Sequence, residues 1–84
     1  MSDKVTDFPQ YRKLSNEKVY YKIINDRLFE EVQLVGKSAN LFTIEAKQYP
    51  EVLRIQDLLH LNMDGFEMST ETEFESLLKR YSLR

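Results

Sequence analysis

The sequence has no cysteine and no tryptophan, and its 84 residues include only two glycines and two prolines. Without cysteine there is no disulfide framework and no thiolate metal site. With Gly36 and Gly65 alone, neither a phosphate-cradling loop nor a dinucleotide fingerprint can be written. His60 is the single imidazole available to a hydrolytic triad, and no serine sits in a glycine-flanked nucleophile elbow. These gaps argue against an enzyme. No apolar run approaches the roughly 20 residues of a membrane span. Residues 1–10 are polar and lack the apolar core of a secretory signal. The expected setting is cytoplasmic, with no membrane partner.

Neither sign of charge dominates. Twelve Lys and Arg stand against fourteen Asp and Glu, a formal net charge of −2. Such a balance gives no excess of cations to coat a nucleic-acid backbone or an anionic bilayer. What is present is a 42% hydrophobic share, too high for a chain that cannot bury a core. The length suits one small domain, residues 1–84, with residues 1–7 expected to fray.

Period-two patterning dominates the first two thirds. Residues 11–14 and 18–24 form a hairpin around Ser15, Asn16 and Glu17, with Val19, Tyr21 and Ile23 on one face and Lys18, Tyr20 and Lys22 on the other. Residues 28–35 read as a strand by Val32 and Leu34, although Leu28, Val32 and Val35 also fit a helix. Residues 41–49 alternate Phe42, Ile44 and Ala46 against Thr43, Glu45 and Lys47. Residues 51–61 fit two templates. Pro50 could open a helix with Val52, Ile55 and Leu59 on one face; alternatively Leu53 and Ile55 point inward from a fifth strand. A short connection in a meander favours the strand. A turn at residues 62–65 then leads to residues 66–68, a short edge strand.

The last segment satisfies every local rule for a helix. Thr70 and Glu73 are spaced as a capping box, and Phe74, Leu77, Leu78 and Tyr81 form one apolar stripe. Acidic residues fill the first turn and basic ones the last. The expected fold is therefore α+β: a single curved antiparallel β-meander of five strands, or six with residues 66–68, and one C-terminal helix over residues 71–82 packed on one face. The inner face would carry Val19, Tyr21, Ile23, Val32, Leu34, Phe42, Ile44, Leu53 and Ile55. Whether the sheet stays open or closes as a small barrel is left undetermined by the pattern.

Chemistry-bearing residues are few. Asp57, His60, Asp64 and Glu67 fall at spacings suited to a metal, but one imidazole is short of the ligand set that zinc ordinarily takes. No metal and no cofactor is expected. Tyr11, Tyr20 and Tyr49 would project from the polar sheet face, and tyrosine suits protein interfaces because it offers area and a polar tip. Lys18, Tyr20 and Lys22, with Arg54, interleave bases and an aromatic as single-strand nucleic-acid binders do. The candidate partner-binding residues are thus Lys18, Tyr20, Lys22, Tyr49 and Arg54. The favoured reading is a non-enzymatic protein-interaction or accessory module; the alternative is a single-stranded nucleic-acid-associated protein. An unblocked sheet edge, at residues 11–14 or 66–68, together with the tyrosine face, would suit a homodimer.

Overall fold

The computed structural model describes residues 7–61 and 64–84. Strands β1 (Gln10–Leu14), β2 (Val19–Asn25), β3 (Leu28–Val35) and β4 (Ser38–Glu45) follow one another as a meander. Helix α1 (Tyr49–His60) then crosses the sheet, so that β5 (Phe66–Met68) pairs antiparallel with the far side of β1 before helix α2 (Glu71–Arg80). The order across the sheet is β4-β3-β2-β1-β5, open at both ends. The protein is of the α+β class, an antiparallel five-stranded sheet with two helices packed on it.

The second helix is the main departure from the sequence reading. Residues 51–61 lie within α1 and not in a strand, because three features act together. Pro50 occupies the first turn, where its missing amide costs no hydrogen bond. The Glu51 carboxylate accepts from the amides of Lys47 (3.0 Å) and Gln48 (3.1 Å). Ile55, Leu58 and Leu59 lie on one side and are buried, whereas Leu53 is exposed. Leu61 closes the helix in the left-handed region at φ 52° and donates to the Asp57 carbonyl.

Two helices mean two buried sheet faces. One carries Tyr21, Ile23 and Phe29 under α1, with Val19 and Ile44 at its margin. The other carries Tyr11, Tyr20 and Val32 under α2, with Leu34 and Leu41 beside them. The expected single inner face therefore divides. Val32 and Leu34 lie opposite Tyr21 and Ile23, as the pairing of Tyr20 with Val32 and of Ile23 with Phe29 requires. The C-terminal helix covers the face of Tyr11 and Tyr20, so these rings are core and not outward-facing. Strand β1 is interior, between β2 and β5, and the edges are β5 and β4. The expected fraying of residues 1–7 falls, Asp7 apart, outside the described residues, as do Asn62 and Met63 of the expected turn.

Helix α2 follows its sequence closely. Phe74, Leu77 and Leu78 are buried, Tyr81 is partly buried, and Thr70 accepts from the Glu73 amide at 3.1 Å. Phe74 meets Tyr11 with ring centroids 5.9 Å apart. Phe74→Ala and Leu77→Ala should each destabilise by about 2–5 kcal/mol through the cavities they leave. Thr70→Ala should cost about 1 kcal/mol, the loss of one cap. Urea denaturation checks the order; a cap variant weaker than Leu77→Ala would contradict the docking described.

Candidate interaction surface

Where α1 begins, its first two turns stand over the junction of β3 and β4. They leave a groove of about 310 Å³ lined by Phe29, Glu31, Ile44, Pro50, Glu51 and Arg54. The floor is apolar and comes from Phe29 and Ile44. Its polar wall is Glu31, only 8% exposed, whose carboxylate accepts from Gln33 Nε2. Burial raises the Tyr21 hydroxyl above its ordinary value; Glu31 adds to the rise and Arg54 opposes it. Exposed side chains flank this lining on α1 and β4 without being part of it. Tyr49 is 72% exposed and Leu53, one helical turn on, is 42% exposed. Phe42 of β4, 43% exposed, pairs with Glu31 across the sheet.

The five residues singled out from the sequence do not form one surface. Tyr49 and Arg54 are both on α1 and exposed. Lys18 is exposed in the turn before β2, where its amide donates to Asn16 Oδ1. Lys22 is half-buried on β2, between Tyr11 of β1 and Glu30 of β3 on the α2 side. Tyr20 is 8% exposed, opposite Val32, with the Lys13 ammonium 5.9 Å from its ring centre. Leu53 and Phe42 were not singled out. Leu53 sits four residues after Tyr49, a relation that becomes visible only once the segment is helical. Phe42 belongs to a clean alternation that pointed it inward.

Around the apolar core under α2, several charged side chains pair with one another. Lys13 donates to Glu17 (2.9 Å) and to Glu73 (3.2 Å), and both contacts raise its pKa. Arg84 makes a two-pronged contact with Glu30, which is 5% exposed, and this raises the arginine's pKa. A shallow groove of about 470 Å³ runs along α2 beside Glu71, Glu75, Lys79 and Arg84. The Tyr11 hydroxyl is buried without a hydrogen-bond partner, and burial followed by the charges of Glu71, Glu75 and Glu30 raises its pKa. Among the described residues, no group of three or more His, Asp or Glu is placed to hold a metal ion. No helix is long and apolar enough to cross a membrane, among the described residues.

The network around Lys13 sets an acid limit. Glu73 accepts from Ser69 Oγ at 2.6 Å and from Lys13, which holds its carboxyl below the ordinary value of 4.5. A carboxyl with a depressed folded pKa stabilises the fold above its unfolded pKa, and that stability is lost as pH falls through the folded value. Between about pH 5 and pH 3, Glu73→Gln should therefore flatten the fall in urea midpoint seen for the wild type. An unchanged slope would contradict this role for Glu73.

No family model matches the chain, and no curated protein or solved structure matches it.

Proposed function

We propose that the protein is a non-enzymatic interaction module that engages a protein partner at the groove between α1 and β4. The observation that carries this reading is the apolar groove floored by Phe29 and Ile44, together with exposed side chains on the two elements that flank it. Tyr49 and Leu53 are exposed and precede the lining residues Pro50 and Arg54, and the exposed Phe42 pairs with the lining residue Glu31. An apolar groove with an arginine in its wall and an exposed tyrosine on the same helix has the composition of an interface centre. The alternative, single-stranded nucleic-acid binding, draws little from this arrangement. Its proposed stacking ring, Tyr20, is packed beneath α2, and Arg54 lies on the other layer from Lys22.

The test is retention of a protein from native lysate by the immobilised chain, compared with Tyr49→Ser and Leu53→Ser. Both side chains are exposed, so each variant should remain within about 0.5 kcal/mol of the wild type in stability. The reading expects at least one protein held by the wild type and lost from both variants. If everything held by the wild type is held equally by both variants, the groove is not the site. Salt-sensitive retention of a single-stranded oligonucleotide, indifferent to these changes, would favour the alternative.

A further inference from the structure

We infer that β4 pairs antiparallel with β4 of a second copy of this chain, about a two-fold axis through Phe42, joining the two sheets edge to edge. This deepens the proposed interaction role by naming one occupant for the edge that borders the groove.

The two sheet edges are unequal. Strand β5 has three residues, too few to template a new strand. Strand β4 has eight residues, and it contains no proline, lysine or arginine. Proline and basic residues are among the devices by which exposed edges are ordinarily protected, and the strand's one charge, Glu45, stands at its end. Each face carries two apolar and two polar side chains: Ala39 and Leu41 with Thr43 and Glu45 toward α2, and Phe42 and Ile44 with Ser38 and Asn40 toward α1.

The backbone tells which groups are free. The Leu34 amide donates to the Lys18 carbonyl at 2.8 Å, so even-numbered residues of β3 turn their backbone groups toward β2. Odd-numbered ones turn toward β4, where they meet Ser38, Asn40, Phe42 and Ile44. The Ala46 amide, two residues on, follows the same parity by donating to Arg27. Ala39, Leu41, Thr43 and Glu45 therefore direct their amides and carbonyls away from the sheet.

A two-fold antiparallel pairing must match outward-directed residues with one another and keep partners on the same face. Centring it on Phe42 does both along the whole strand. Leu41 meets Thr43 and Ala39 meets Glu45, each pair exchanging two backbone hydrogen bonds. Asn40 meets Ile44, and Phe42 meets its own copy at the axis. The one charge within the strand, Glu45, falls opposite Ala39, so no like charges face each other between the paired β4 strands. The two Phe42 rings meet on the α1 face, in the closer, non-hydrogen-bonded type of pair. The half-exposed ring would thereby be covered.

The register gives a specific test, because the chain has no cysteine of its own. In a non-hydrogen-bonded pair the Cα atoms lie about 4.5 Å apart, within the range of about 4.4–6.8 Å that a disulfide spans. Phe42→Cys should thus cross-link to its symmetry mate under mild oxidation. The two copies of position 40 would be offset by four residues, about 13 Å, and Asn40→Cys should remain uncrosslinked. By light scattering the wild-type chain should move from a monomer mass near about 1 µM to a dimer mass near about 1 mM. Thr43→Pro removes an outward amide without removing a bond to β3, and should shift the chain to monomer with its circular dichroism unchanged. If Thr43→Pro does not fold, the two cysteine variants decide alone. A monomer throughout overturns the inference and leaves the edge to a strand of another protein. A dimer that Asn40→Cys traps as readily as Phe42→Cys, or that a folded Thr43→Pro leaves intact, overturns it too. The pairing would cover Phe42 but leaves Tyr49 and Leu53 outside it, so the variants of those two residues still judge the groove reading separately.

Discussion

Arg12 holds the two layers on one side of the sheet together. Its guanidinium is 5% exposed, and it is satisfied by oxygens of the backbone and of one amide side chain. Nε donates to the Leu58 carbonyl (2.8 Å), Nη2 to Leu59 (3.1 Å), and Nη1 to Tyr11 (2.7 Å) and Gln10 Oε1 (3.3 Å). Leu58 and Leu59 lie in the last turn of α1, where carbonyls lack intrahelical partners and the helix dipole presents negative charge. A planar fork can serve several such oxygens at once; an ammonium on a flexible stem could not hold the same geometry. Burial lowers the pKa of Arg12, and this marks the desolvation that those hydrogen bonds offset.

Strand β1 concentrates this role because its residues alternate between faces. Tyr11 points to α2 and meets Phe74, Arg12 points to α1, and Lys13 returns to the α2 side to reach Glu73. Three consecutive residues thereby tie both helices to one strand. That strand is also flanked on both sides, by β2 and by β5. With β1 so committed, the exposed edge moves to β4, the strand farthest from the Arg12 clamp.

The strands and the C-terminal helix were legible because their signals are local. Alternation places Val19, Tyr21 and Ile23 on one face whatever lies above them, and Phe74, Leu77 and Leu78 recur at helical spacing. What was not legible is which faces coincide. Both sides of this sheet are buried, so β3 carries apolar residues in both phases: Phe29 in one, Val32 and Leu34 in the other. A shift of one residue then exchanges faces without leaving an obvious polar residue inside. The same ambiguity concealed the burial of Tyr11 and Tyr20, since tyrosine is at home on either kind of face. In residues 51–61 a two-member alternation, Leu53 and Ile55, competed with Val52, Ile55 and Leu59. Burial of Leu58 as well as Leu59 on the packed side is a helical property that the strand reading had no place for. Of the candidate site, Tyr49 and Arg54 were identified individually, but their neighbour Leu53 needed the helix to be seen.

The account rests most heavily on the Arg12 fork as the tether of α1, and native-state hydrogen exchange tests it directly. Arg12→Met keeps the apolar stem and removes the donors. The amides of Leu58, Leu59 and His60 should lose protection by about 10- to 100-fold, the cost of leaving buried carbonyls unpaired, and by more than the amides of α2 lose. Equal loss in both helices, or α1 protection unchanged from the wild type, would contradict the claim that this side chain holds the helix to the sheet.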